Sequence, residues 1–116
     1  MNALEKTEET IKLKKFMEEN NIKLIEYSGD MKQFYGSDEN QLNVVEKSGE
    51  PCEDLAVKDL ILGSLDELFG VLENSKKITV GEGTVSLILD PATNVLEMKL
   101  DCTVLTESRV TENLQI

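Results

Sequence analysis

The chain has 116 residues, 40% of them hydrophobic, and carries 23 acidic against 12 basic side chains, for a formal net charge of −11. This length and apolar content predict a single domain over residues 1–116, with a core that needs no disulfide or structural metal. The sequence contains no histidine and no tryptophan. The missing histidine excludes a Ser-His-Asp triad, a Cys-His pair and a histidine-ligated metal within this chain.

No stretch approaches the roughly 18 apolar residues of a membrane span, and the N-terminal segment lacks the apolar core of a signal peptide. We therefore expect a cytoplasmic protein. In a reducing compartment, Cys52 and Cys102 are expected to be buried thiols and not a disulfide. Arg109 is the single arginine among the 12 basic residues, which is compatible with an AT-rich bacterial or phage genome.

The negative charge is concentrated in the middle of the chain. Residues 37–73 hold ten acidic side chains against Lys47 and Lys58, a net charge of −8. Direct binding to nucleic acid or to an anionic membrane requires clustered lysine and arginine, so this segment disfavours both. It favours either a solvated acidic surface or contact with a basic protein.

The first 36 residues predict one helix and a strand that follows it. Residues 3–20 carry a moderate apolar stripe, with glutamates near the start and lysines toward the end, which is typical of an amphipathic helix. Asn20 and Asn21 predict where this helix stops. Residues 22–27 predict a short strand and residues 28–30 a turn, after which residues 31–35 are expected to pair back as a second strand.

Residues 37–54 predict an acidic loop in which only residues 42–46 could form a short strand. Its oxygen-bearing side chains are candidate ligands for Ca²⁺ or Mg²⁺: Asp38, Glu39, Asn40, Glu50, Glu53 and Asp54. They lack the alternating spacing that wraps one chain around a calcium ion. We therefore expect a solvated loop and no metal site.

The second half predicts a helix over residues 54–74 and then three strands, over residues 76–80, 84–90 and 95–105. The alternation of apolar and polar residues is clearest in the last strand, where one side carries Leu96, Met98, Leu100, Cys102 and Val104. This pattern predicts an antiparallel sheet with one packed and one wet face.

The connections between these strands have turn composition. The composition of Gly81-Glu82-Gly83 predicts a tight hairpin. A phosphate loop is disfavoured here, because the third glycine and the lysine of that motif are missing. Residues 90–94 predict a second turn, with a proline that presets φ. Residues 107–116 show no period and are expected to fray. The fold class is therefore α+β, with two helices packed on an antiparallel sheet of three to five strands that ends in a three-strand meander.

The second helix, LAVKDLILGSLDELFGVLEN over residues 55–74, has an unusually wide apolar arc. At 100° per residue its apolar side chains cover about 220°, whereas a helix on one sheet needs an apolar stripe of only about 100°. Gly63 and Gly70 each cost roughly 1 kcal/mol relative to alanine. Three interpretations of these glycines stay open: close approach of another backbone, a break near Gly63, or glycines tolerated without a role.

We expect a non-catalytic protein-interaction module without cofactors, either an assembly component or an inhibitor that acts by binding. Its partner would be another protein with a basic surface, or a second copy of this chain. The partner-binding residues predicted from the helix are Ala56, Asp59, Leu62, Gly63, Leu65, Asp66, Glu67, Phe69 and Gly70. One alternative is an acidic mimic of nucleic acid that blocks the basic groove of a DNA- or RNA-binding protein. The other is a small enzyme or ligand-binding protein that uses carboxylates.

Overall fold

The structure, a computed structural model, describes residues 6–31, 34, 41–105 and 109–116. In chain order its elements are α1 (Glu8–Glu19), β1 (Ile22–Asp30), β2 (Leu42–Glu46), α2 (Leu55–Lys76), β3 (Val80–Leu89), β4 (Leu96–Val104) and β5 (Val110–Gln115). The strands form one antiparallel sheet in the order β2-β1-β3-β4-β5, and both helices pack on it. The predicted α+β class is confirmed.

The core lies between the helices and one face of the sheet. The alternation predicted for the last strand is confirmed, since all five apolar residues of β4 are at most 5% exposed. From the helical side, α2 buries Ile61, Leu65, Leu68, Phe69 and Leu72. Phe34 joins the two layers, because its ring lies 4.6 Å from that of Tyr27 on β1 and 5.4 Å from that of Phe69.

Capping explains where the helices begin and end. α1 starts at Glu8 and not at residue 3, because the side chains of Thr7 and Thr10 form a reciprocal capping box with each other's backbone N–H. Residues 1–5 lie outside the described residues. Asp54 caps α2 by accepting the N–H of Ala56 at 3.0 Å. The helix continues to Lys76 and stops where Lys77 takes a left-handed conformation, with φ of 54°.

α2 runs through Gly63 and Gly70 without interruption, so the interpretation of a break near Gly63 is wrong. Residues on both sides of Gly63 are buried on the same side of the helix, and this shared burial holds the two halves in line. The strand predicted over residues 76–80 is also wrong. Lys76 still belongs to α2, and β3 starts only at Val80.

Two predicted turns are strand in the structure. Residues 28–30 continue β1, with Gly29 paired to Gly83 and Asp30 to Glu82 of β3. The predicted hairpin at residues 81–83 is likewise part of β3, whose register against β4 shifts between Val80 and Gly83. Local composition suggested turns at both places, but the glycines serve close pairing between long strands.

The edge strand β2 and the turn between β3 and β4 lie where the sequence predicts them. The short strand predicted at residues 42–46 is confirmed as the edge strand β2. The turn at residues 90–94 is also confirmed: Asp90 Oδ1 accepts the N–H of Ala92 at 2.9 Å, and Asn94 has φ of 57°. Of residues 31–35, Met31 follows β1 in a turn and Phe34 is not in a strand, and the others lie outside the described residues.

The expectation that residues 107–116 fray is wrong for the part that the structure describes. Residues 110–115 form β5, paired along its length with β4. Leu114 and Ile116 pack against the core, which is why this strand is held despite its weak apolar period. In the described parts of the chain, no helix is long and apolar enough to cross a bilayer.

Candidate functional site

Three lines of residues run along the side of α2 that faces away from the sheet. Because seven residues make almost two turns, residues seven apart lie nearly in line and about 10.5 Å apart along the axis. An acidic line contains Asp59, Asp66 and Glu73, a small-residue line contains Ala56, Gly63 and Gly70, and a third line contains Leu60, Glu67 and Asn74. These nine residues and Val71 are called the outer face of α2.

The outer face of α2 carries exposed apolar side chains. Leu60 is 59% exposed and Val71 is 40% exposed, and Leu55 at the start of the helix is 65% exposed. Leu60 and Val71 point within about 20° of each other around the helix axis. The wide apolar arc therefore has two parts, of which one packs on the sheet and the other lies on the surface of the described structure.

The small-residue line is open at Gly70. A Cβ atom placed on Gly70 would meet no heavy atom within 4 Å. No described segment of this chain therefore lies against Gly70, and close packing within the chain does not explain this glycine. Ala56 is exposed and Gly63 is partly exposed. Because its residues carry at most a methyl group, this line lies lower than the acidic line on one side and than Leu60 and Glu67 on the other, and it is called the groove of α2.

The four carboxylates of the outer face of α2 differ in their contacts. Asp59 and Glu67 are exposed and Asp66 is partly exposed, and none of the three forms an ion pair with a described residue. Glu73 has a structural contact, because its Oε2 accepts the backbone N–H of Val80 at 3.1 Å and so ties the end of α2 to the start of β3. The carboxylates of this surface that have no ion pair with a described residue are therefore those of Asp59, Asp66 and Glu67.

Two of the predicted partner-binding residues are corrected by the structure. Leu65 is 0% exposed and Phe69 is 1% exposed, so both belong to the core and are unavailable to a partner of the folded chain. Leu62 is partly buried and packs against the same core. The sequence could define the apolar arc, but it could not tell which part of the arc faces the sheet. The remaining predicted residues stay together on the outer face of α2.

Sequence reasoning missed a second surface, the sheet face that carries no helix. One row crosses all five strands on this face, through Val45, Leu24, Ile88, Glu97 and Gln115. Along this row and beside the β3–β4 turn lies an open cavity of about 770 Å³, whose apolar lining includes Leu24, Ile88, Pro91 and Val95. Strand register places these residues together, and the register could not be deduced before the pairing was known.

The part of this uncovered face on β4 and β5 is polar, and two of its carboxylates have local partners. Asn113 Nδ2 donates to Glu97 Oε1 at 2.9 Å and Lys99 lies 3.5 Å from the same oxygen, which together lower the pKa of Glu97. Arg109 and Thr111 both contact Asp101 Oδ1 and lower the pKa of Asp101. A general acid at neutral pH needs a raised pKa, so these two carboxylates have the character of structural ion pairs.

The two cysteines lie in the core. Both cysteines are free and buried, and burial is the main cause that raises the pKa of the Cys102 thiol. A buried, protonated thiol is a poor nucleophile. Among the described residues, no three histidine, cysteine or acidic side chains are grouped so that they could hold a metal ion. Asp38, Glu39 and Asn40 lie outside the described residues.

Comparison of the chain with protein-family models, with curated proteins and with solved structures finds no match. The outer face of α2 combines exposed apolar side chains, an open groove and unpaired carboxylates on one rigid element.

Proposed function

We propose that this protein is a non-catalytic interaction module that binds a helix of a basic partner protein along the outer face of α2. The observation that carries the proposal is the exposure of Leu60 and Val71 beside the open groove at Gly70. Two free, buried cysteines are typical of a reducing compartment, which supports a cytoplasmic site of action.

The seven-residue spacing favours a helix as the bound element. Two helices that cross at about +20° stay in contact over several turns when their contact residues recur every 3.5 residues on average. The small-residue line has this period over two repeats, from Ala56 to Gly70. Small residues also let two helix axes approach to about 8 Å, the short end of the usual range.

The chemistry of the surface specifies the partner's side chains. Leu60 and Val71 would supply affinity, since full burial of such a side chain contributes roughly 1.5–3 kcal/mol and each is already partly buried here. The carboxylates of Asp59, Asp66 and Glu67 would select lysine and arginine beside the partner's apolar stripe. Exposed ion pairs add only about 0–1 kcal/mol each, so their main effect is on partner choice and association rate.

The charge density of this surface favours an interaction module over a mimic of nucleic acid. The acidic line has three carboxylates over about 21 Å, whereas duplex DNA carries one negative charge per roughly 1.7 Å of its axis. The apolar side chains at the centre of the face also have no counterpart on a phosphate backbone. A helix-binding surface uses both features.

Site-specific photo-cross-linking tests the proposal. The photoreactive residue p-benzoylphenylalanine is incorporated at position 74, an exposed residue one turn from Gly70 that leaves the groove empty, and as a matched control at position 92, an exposed alanine in the β3–β4 turn. Each protein is irradiated in extract of the source cells at about 50 and about 500 mM NaCl, and the cross-linked peptides are sequenced by mass spectrometry. The Gly70→Met variant competes as an unlabelled protein.

The expected product at position 74 is a partner segment with an apolar stripe flanked by lysine or arginine, absent at position 92 and reduced at high salt. Unlabelled wild-type protein should suppress this product, and Gly70→Met should not, because its side chain fills the groove. Equal products from both positions, or peptides at position 74 without basic residues, would overturn the proposal. Competition by duplex DNA for the same partner would support the mimic instead.

A further inference from the structure

The two edges of the sheet differ in how they are protected. At the β2 edge, Val45 forms a bridge with Pro51, and the Cys52 N–H donates to the Val44 carbonyl at 2.8 Å. The segment that follows β2 thus folds back over this edge and brings a proline to it, which is a common way to block pairing with another chain.

In the part of the chain that the structure describes, nothing pairs with the outer side of β5. Leu96 and Ile116 donate their N–H groups to each other's carbonyl, at 2.8 and 2.7 Å. Antiparallel partners alternate between bonded and non-bonded pairs, so the backbone groups of Thr111, Asn113 and Gln115 point away from β4. No described residue bonds to these outward N–H and carbonyl groups.

The side chains of β5 leave this edge accessible. The strand contains no lysine, arginine or proline, and its register with β4 has no bulge, so these protective devices are missing, and its one charged residue, Glu112, lies on the core-facing side. Thr111 and Asn113 direct their side chains back over the sheet, where they bond to Asp101 and Glu97. The backbone therefore faces solvent without an obstructing side chain at these two positions.

The charge near this edge is also low. The charged side chains of β4 and β5, together with Arg109, sum to −1, although the whole chain carries −11. Most of the negative charge belongs to residues 37–73, which include β2 and most of α2. Two copies can therefore meet at β5 with little local repulsion.

We propose that β5 pairs antiparallel with β5 of a second copy, which makes a continuous sheet of ten strands around a two-fold axis at Asn113. Thr111 then lies opposite Gln115 of the partner subunit, and Asn113 lies opposite Asn113 of the partner subunit. The three outward residues of each strand exchange about six hydrogen bonds in this register.

Sequence favours this register over its neighbours. Here Glu112 lies opposite Leu114 of the partner subunit, so no like charges oppose each other. A slip by two residues one way would place Glu112 opposite Glu112 of the partner subunit, which is destabilising, and would leave about four hydrogen bonds within the strands. A slip the other way would also leave about four. The proposed register has the most bonds and no charge conflict.

Sedimentation equilibrium of the full chain, from about 1 µM to about 500 µM, tests the proposal. Wild-type protein should approach twice the 13.0 kDa chain mass. Asn113→Pro removes one outward N–H and should stay monomeric, and proline is tolerated at an edge whose N–H faces solvent. Asn113→Ala is the matched control, because it also loses the amide side chain but keeps the N–H, and it should dimerise.

Charge variants test the register and keep the proposal falsifiable if Asn113→Pro does not fold. Thr111→Lys with Gln115→Lys opposes two pairs of like charges across the axis and should weaken dimerisation by about tenfold. Thr111→Glu with Gln115→Lys opposes unlike charges and should dimerise at least as well as the wild type. Equal dimerisation of the two double variants would overturn the register.

A wild-type protein that is monomeric at every concentration, or an Asn113→Pro variant that dimerises as well as Asn113→Ala, would overturn the pairing itself. Salt separates this surface from the outer face of α2. Because both copies carry −11, dimerisation should strengthen with salt, whereas capture of a basic partner should weaken. Failure of one proposal leaves the other intact.

Discussion

Alanine at Gly83 should destabilise the fold, whereas alanine at Gly70 should stabilise it. Gly83 lies in β3 opposite Cys102, and its added Cβ would overlap the carbonyl oxygen of Asp101. The same Cβ would stand 2.5 Å from the Cα of Cys102, which is 0.9 Å closer than the 3.4 Å at which ordinary contact begins. These neighbours are backbone atoms of a central strand, so they cannot rotate away.

The magnitudes follow from these surroundings. Relief of the overlap at Gly83 requires β3 and β4 to separate, which combines an overpacking cost of about 1–3 kcal/mol with weakening of a ladder hydrogen bond that contributes about 1 kcal/mol. We expect a loss of about 2–4 kcal/mol in the free energy of unfolding. At Gly70 nothing lies within 4 Å, so alanine should realise the full helix-propensity gain of about 1 kcal/mol.

Urea titrations and thermal melts followed by circular dichroism measure both effects. For a domain of 116 residues, 1 kcal/mol corresponds to a shift of about 4 °C in Tm. Gly70→Ala should therefore raise Tm by about 4 °C, and Gly83→Ala should lower it by about 8–16 °C. A Gly83→Ala variant within about 0.5 kcal/mol of wild type would refute the close strand approach. A destabilised Gly70→Ala would refute the open groove.

Three further predictions concern a cap, an ion pair and a thiol. Asp54→Ala should lower the free energy of unfolding by about 1 kcal/mol, and Asp54→Asn should lower it less, because only the amide retains an acceptor for the N-terminal N–H groups of α2. The hydrogen bond from Arg109 is the main cause that holds the pKa of Asp101 below its ordinary value of 3.8. The stabilisation from this carboxylate is therefore present above the unfolded-state pKa and is lost as pH falls through the lower folded-state pKa. Urea titrations should therefore show Asp101→Asn less stable than wild type at pH 7 and the difference closing below about pH 4; a constant difference would contradict this assignment. In a Cys52→Ser background, the buried Cys102 thiol should react with Ellman's reagent only as fast as the protein unfolds, and rapid reaction of the native protein would show that the core is open.

Sequence alone determined the features that depend on neighbouring residues. The strict alternation in β4 and the turn at residues 90–94 were both readable, because each depends on side chains within a few positions of one another. The absence of histidine likewise excluded several catalytic classes without any coordinates. These inferences needed only local stereochemistry and composition.

Strand pairing was decided by the tertiary structure. Gly81-Glu82-Gly83 has the composition of a turn, but β1 and β4 flank it on both sides and hold it as strand. The last strand was missed for a related reason. β5 lies at the edge, where half-exposed positions weaken the apolar period, and only its hydrogen bonds to β4 define it. Long-range pairing leaves little trace in local composition.

The second helix shows both contributions in one element. Sequence alone determined that its apolar arc is too wide for one sheet, and that Ala56, Gly63 and Gly70 lie in line. Only the tertiary structure decided that Leu65 is buried and Leu60 exposed, although both are leucines on the same arc. The physical reason is that a cylinder resting on a sheet covers only part of its circumference, and the packing of the whole core selects which part.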